Sequence, residues 1–341
     1  MAKTALVISG GGSKGAFAVG ALSYIHQRVR PIDQFDIYAG TSTGALIVPL
    51  ASIGELALLE RLYTTIRQAD VFKIGGIANL LRGMSLHDAT PLKRLIETNL
   101  TDDRYNRIIT SGKPVLVATV CLQTEQLTYF ATQPVNQNVP YVIERVSNAT
   151  DLRRAMLASS CQPVFFQPVE WRPGAVPVRQ YVDGGLRELT PLQAAIDNGA
   201  QTIIAITNNP DQTPIDDRLV TSATGMLERT IDLFSEDVSD NDYRLASVYR
   251  QTNVYLNRVR EQLRAGGVSP AIIDRAFAQP GNPVAGVSVA TIHAIRPQTK
   301  LVEGGPGGLT FEPAAMQQMF QKGFQRAKAL FESLPQPPIL T

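Results

Sequence analysis

Short apolar runs alternate with segments of helix-like apolar spacing along most of this chain, the pattern left by strands buried on both faces and separated by covering helices. Residues 4–9 read as a first strand. It runs into Gly10-Gly11-Gly12-Ser13-Lys14-Gly15 and then into a helical pattern with Phe17, Leu22, Ile25 and Val29 apolar at helix-like spacing. A second strand over 35–39 meets Gly40-Thr41-Ser42-Thr43-Gly44 and the helix-compatible run Ala45-Leu46-Ile47-Val48. The unit of strand, glycine turn and helix therefore occurs twice in succession.

Further along, the pattern predicts helices over 55–67 and 92–100, with Thr90 as cap and Pro91 in the first turn of the second. Strands follow over 114–121 and 126–131, then a helix over 152–159. A short apolar pair, Tyr181-Val182, leads to Asp183-Gly184-Gly185, a helix over 191–198 and a buried strand over 202–207. Between 208 and 286 the chain becomes charged and mostly helical, with candidates at 217–234, 240–264 and 270–277. The alternating run 287–295 returns to the sheet, a glycine-rich turn lies at 304–308, and an amphipathic helix over 313–334 follows. The expectation is an α/β fold of three α/β/α layers on a mainly parallel central sheet. Residues 1–341 would form one catalytic domain, with 208–286 as a helical insertion.

Composition narrows the function. With 44% hydrophobic and 18% charged residues the chain has the profile of a folded protein, and a formal charge of +2 gives no nucleic-acid footprint. Two isolated cysteines, Cys121 and Cys161, make neither a disulfide framework nor a zinc site and suit a reducing compartment. The apolar run Ala5-Leu6-Val7-Ile8 has the shape of a strand rather than of an export signal. No run of about 18 apolar residues that would span a bilayer is present. A cytoplasmic location is expected, and surface contact with lipid stays open.

Gly40-Thr41-Ser42-Thr43-Gly44 fits a nucleophile elbow, in which a sharp strand-to-helix turn lifts a serine out of the sheet and glycines avoid clashes. The plain alternative is a small-residue turn without chemistry. Gly10 to Gly15 contains G-x-G-x-x-G and can serve two ligands, because exposed amides cradle a pyrophosphate or hold an oxyanion equally well. A dinucleotide site wants an acidic residue at the end of the second strand, where this chain has Gly40-Thr41-Ser42, with Asp33 and Asp36 earlier. A P-loop wants Gly-Lys-Ser/Thr and meets Lys14-Gly15 instead. Lys14 alone reads as a solvated loop charge, although a cation there would add to an oxyanion site. Asp183-Gly184 alone reads as a turn. Of three histidines, His26 and His87 precede Asp183, so a Ser-Asp-His triad would require His293. That residue sits in the alternating run 287–295, where a packed or half-exposed histidine is the plainer reading.

Taken in order, the glycine loop, the G-x-S-x-G and the distant Asp-Gly-Gly resemble the patatin-like phospholipase family. The resemblance extends to Ala158-Ser159-Ser160, Pro163, Phe165, Pro168-Val169, Thr190-Pro191-Leu192 and Phe311-Glu312-Pro313, covering 4–207 well and 287–332 loosely. Ser9 stands where plant members carry an aspartate. The resemblance implies a lipid acyl hydrolase of phospholipase A, lysophospholipase or carboxylesterase type with Ser42 as nucleophile and Asp183 as base. It also implies an oxyanion hole from the amides of Gly11, Gly12 and Ser13, with Gly10, Lys14 and Gly15 shaping the loop. Gly40 and Gly44 would shape the elbow, and Gly184 and Gly185 the turn after the aspartate. No metal or other cofactor is needed in this scheme. The expected partner is a lipid or fatty-acyl ester, with peripheral contact at a membrane surface left open, and no nucleic acid. Two rivals remain: a triad esterase using His293, and a nucleotide-binding protein built on the Gly10 to Gly15 loop.

Overall fold

The computed structural model describes residues 2–76, 83, 85–210, 219–278 and 290–334. Its strands are β1 (Lys3–Ile8), β2 (Ile37–Thr41), β3 (Lys73–Ile74), β4 (His87–Asp88), β5 (Val115–Cys121), β6 (Leu127–Ala131), β7 (Val142–Arg145), β8 (Val169–Glu170), β9 (Gln180–Asp183), β10 (Ala200–Ile206) and β11 (Thr291–Ile295). Among the described residues, nine of these form one sheet in the order β11-β10-β1-β2-β5-β6-β7, with β9 on β5 and β8 on β9. From β11 to β5 every pairing is parallel. β6 returns antiparallel to β5, and β7 runs parallel to β6. The chain has a mainly parallel central sheet with flanking helices.

Alternation along β1 shows why both faces are covered. Ala5 and Val7 join Ile37, Ala39, the helix Leu192–Asp197 and Ala246 on one face. Leu6 and Ile8 join Tyr38, the first helix Gly15–Arg28 and the C-terminal helix Pro313–Ser333 on the other. Each fully buried Leu or Ile side chain contributes roughly 1.5–3 kcal/mol, so strands apolar on both faces hold only as middle layers. The two helices of the second face lock through Tyr24 and Phe324, whose rings meet edge to face at 5.4 Å.

The topology also brings distant residues to one edge of the sheet. Because β1 and β2 are parallel, the glycine loop and the elbow leave the sheet at the same end. β5 pairs with β2 as far as Ala118, opposite Thr41, and from Thr119 onward it pairs antiparallel with β9, Thr119 facing Asp183. Its other edge is occupied by β6 throughout. β9 therefore takes the track that β2 vacates where the chain turns at Ser42. Asp183 meets Ser42 end to end.

Four expectations need correction. The helices read at 217–234 and 240–264 are one helix, Ala223–Ala265, because Ser235-Glu236-Asp237-Val238-Ser239 contains no glycine or proline to interrupt it; 217 and 218 lie outside the described residues. Thr90 is not a cap. It lies in the first turn of Thr90–Asn99, and Asp88 Oδ1 accepts its amide at 2.8 Å and its hydroxyl at 2.5 Å. The second strand begins at Ile37 and continues through Gly40 and Thr41, so Phe35 and Asp36 precede it. β11 spans only the latter part of 287–295, and 287–289 lie outside the described residues. Elements without a clear sequence signal include the helices Gln68–Val71 and Asp102–Thr110 and the pair β3/β4.

Candidate active site

Ser42 sits between β2 and the helix Thr43–Ala51 with φ 54° and ψ −121°, a left-handed conformation that costs a non-glycine residue roughly 1–3 kcal/mol. The surroundings enforce it. A Cβ on Gly40 would overlap the backbone of Gly44, and one on Gly44 would overlap the Ile8 carbonyl. Only glycine lets β1, β2 and the elbow helix approach this closely. The Ser42 amide donates to Ser159 Oγ at 2.9 Å, and Ser159 Oγ donates to the Ala118 carbonyl at 2.6 Å. Thr41 Oγ1 donates to the Glu188 carbonyl at 3.0 Å.

Asp183 closes β9 and is buried, with the Ser42 side chain among the groups that act on its carboxyl. Its Oδ1 also accepts the Gly185 amide at 2.8 Å. Burial pushes the carboxyl pKa up to about 6, and the Gly185 and Ser42 hydrogen bonds oppose that rise. A Cβ on Gly184 would lie 2.6 Å from the Ala118 carbonyl, so the turn after the aspartate also packs directly on β5.

The glycine loop presents backbone rather than side chains. Gly11 has φ 146° and Gly12 φ 57°, conformations open to glycine without strain. The Gly10 amide is used by the Leu189 carbonyl at 3.1 Å, whereas the amides of Gly11, Gly12 and Ser13 find no acceptor among the described residues. Asn208 fixes the loop from behind, donating Nδ2 to the Gly10 carbonyl and its own amide to Ser9 Oγ, each at 3.0 Å. The turn 304–308, far away in sequence, lies over it: a Cβ on Gly12 would overlap the Gly308 carbonyl. Lys14 departs from the solvated reading. It is buried against Gly304, and burial lowers its pKa while Asp232 and Glu236 counter that fall.

Loop, elbow and Asp183 share the wall of a cavity of 360 Å³. Leu46, Leu59, Leu92, Ile96, Phe166 and Phe311 make much of it apolar, and Lys14, Asp232, Glu236 and Lys300 supply charge. Lys300 pairs with Glu236 at 3.0 Å and with Asp232 at 3.5 Å. Val164, Leu186 and Phe234 line the cavity and are also exposed, at 39%, 48% and 66%.

Of the residues singled out from the sequence, Ser42, Asp183, Gly10 to Gly12, Lys14 and Gly185 meet at this cavity. His293 does not. It lies on β11 in register with Ile204, with β10 and β1 between it and β2. His26 accepts a hydrogen bond from the Ile32 amide, and His87 stacks on Phe72 at 4.6 Å between ring centres. The buried thiols Cys121 and Cys161 are unpaired, and Cys161 lends its carbonyl to the Asp183 amide. Sequence reading gave no role to Ser159, Leu189, Asn208, Asp242 or the 304–308 turn. Ser159 stood inside a quoted segment and the turn was visible as clustered glycine, but nothing local marked the others. Among the described residues no group of three or more His, Cys, Asp or Glu could hold a metal ion, and no helix is long and apolar enough to cross a membrane.

Several known proteins are similar to this chain. A family model described as patatin-like phospholipase matches residues 6–196. The uncharacterized protein YjjU of Escherichia coli (strain K12) is 28% identical over 216 residues, 62% of this chain and 53% of its own length. The cGAMP-activated phospholipase of Escherichia coli (strain TW11681) is 26% identical over 195 residues, 53% of this chain and 51% of its own. The chain thus spans about half the length of the curated relatives it matches. Among solved structures, VipD from Legionella pneumophila aligns over 97% of this chain and 67% of its own at 10% identity, with a TM-score of 0.48.

Proposed function

Because the chain belongs to the patatin-like phospholipase family, we propose that it is a serine lipid acyl hydrolase working through Ser42 and Asp183. The observation that carries this reading is the strained Ser42 and the buried Asp183 sharing the wall of one largely apolar cavity. Ser42 Oγ attacks the ester carbonyl and Asp183 accepts its proton. The negative charge on the carbonyl oxygen falls to the amides of Gly11, Gly12 and Ser13, and preorganised donors of this kind need no reorientation during reaction. The acyl-serine intermediate is then hydrolysed by water. An ordinary aspartate near pKa 4 is a weak base. Burial brings Asp183 to about 6, closer to neutrality while leaving it ionised there.

The substrate is a fatty-acyl ester whose chain lies along Leu46, Leu59 and Leu92, and the exposed Val164, Leu186 and Phe234 let the cavity meet a lipid surface. Residues 1–341 act as one catalytic unit. The segment 208–286 is a helical insertion in it, a reading supported by Leu227, Ile231 and Phe234 of the long helix in the cavity wall. Ester hydrolysis by wild type and Ser42→Ala, measured on a panel from short-chain nitrophenyl esters to phospholipid vesicles, tests the proposal. Wild-type turnover should fall by about 10⁴-fold or more in the variant. Equal rates for the two proteins would end this reading.

A further inference from the structure

The long helix Ala223–Ala265 touches the active site at a second place, beyond the residues it gives to the cavity wall. Asp242 Oδ2 accepts two consecutive backbone amides, those of Leu189 at 2.9 Å and Thr190 at 2.7 Å. The segment they belong to is where the parts of the site are tied together. The Leu189 carbonyl receives the Gly10 amide at 3.1 Å, and the Glu188 amide donates to the Gly184 carbonyl at 3.0 Å. The Glu188 carbonyl receives Thr41 Oγ1, one residue before Ser42. The Leu189 side chain fills the space beside both Gly10 and Gly185. Residues 188–190 thus hold the glycine loop, the elbow strand and the aspartate turn at once, and Asp242 holds 188–190.

We propose that Asp242 is a positioning residue for ester hydrolysis, acting through the backbone of Leu189 and Thr190 to set the glycine loop and the Asp183 turn relative to Ser42. This rests on the ester-hydrolase reading above. Asp242 makes no contact with the reacting atoms. Its carboxyl lies close to the buried Glu188, whose Oε2 takes the Tyr129 hydroxyl at 2.6 Å. Burial and the charge of Glu188 both raise the Asp242 pKa, favouring its neutral form. A neutral acid that accepts two amides is matched closely in shape and charge by an asparagine, and an alanine leaves both amides without an acceptor.

The full chain is compared with Asp242→Ala and Asp242→Asn, with Glu261→Gln on the same helix as control. Two readings are taken: kcat and KM on a short-chain nitrophenyl ester, and hydrogen–deuterium exchange of peptides covering 9–15 and 184–191. Asp242→Ala should lose about 100-fold in kcat, with KM changed by no more than about threefold. Exchange should quicken in both peptides while β1 and β10 stay protected, Asp242→Asn should recover most of the rate, and Glu261→Gln should match wild type. Wild-type kcat and exchange in Asp242→Ala would overturn the proposal. So would loss of protection throughout the sheet to the same degree in Ala and Asn variants, since that is a role in stability alone. Should wild type prove to have no Ser42-dependent esterase activity, the functional reading fails, and the exchange of 9–15 in Asp242→Ala still decides whether Asp242 sets the loop.

Discussion

The two strand–turn–helix units at the head of the chain are built alike and offer opposite things to a ligand. In Gly10 to Gly15 the positive φ angles fall on Gly11 and Gly12, and the product is a row of unclaimed amides. In Gly40 to Gly44 the positive φ falls on the serine between glycines that let neighbouring backbones close in, and the product is one raised hydroxyl. One turn works through its backbone and the other through a side chain. What decides between them is which residue bears the unusual torsion. Substitutions should therefore act by side-chain chemistry in and around the second turn, and by backbone shape in the first.

The largest effect that would test this contrast, after loss of Ser42 itself, is at Asp183. Asp183→Asn should lower kcat by about 1,000-fold, and the rise of wild-type kcat/KM through a pH of about 6 should vanish. A pH profile recorded on both proteins checks it. The same change should stabilise the fold. The folded carboxyl has its pKa raised from 3.8 to about 6, so the stability tied to this group is fully present below 3.8 and is lost as pH rises through about 6. At pH 8 the asparagine removes that loss, worth at most about 2–3 kcal/mol, and thermal unfolding should show a higher Tm. Unchanged Tm with lost activity would mean that Asp183 is not strained by its burial.

In the first turn, Gly12→Ala adds a single methyl to a residue with φ 57°, against the Gly308 carbonyl. It should cost about 100-fold in kcat with no change in reactive chemistry, and a rate close to wild type would break the backbone half of the contrast. Ser13→Ala sharpens it from the other side. Among the described residues the Ser13 hydroxyl makes only a long 3.4 Å bond, to the Gly304 carbonyl, so steady-state rates should stay within about threefold. Smallest of all, His293→Ala should leave kcat within about twofold, since β10 and β1 separate it from the elbow strand. A large loss there would revive a triad.

Most of the parallel sheet and both glycine turns could be read from the chain because their demands are local: alternating apolar residues, glycine where the backbone must turn or approach. Asp183 became readable only through its order relative to the other two motifs, since Asp-Gly alone marks any turn. Ser159 and Leu189 could not be read, because their importance lies in which backbone atoms the fold brings to them. Asp242 was hidden for the same reason, inside a helix that reads as solvated charge. The break expected in that helix falls on Ser235-Glu236-Asp237-Val238-Ser239, where the chain holds nothing that prevents helical torsions.

The contact between Gly12 and Gly308 sets an order on the making of the protein. The serine, the aspartate and the amide row all leave the ribosome well ahead of the turn that lies across them. A nascent chain can hold Ser42, Asp183 and the glycine loop and still lack the turn that lies against Gly12 until synthesis has passed residue 308.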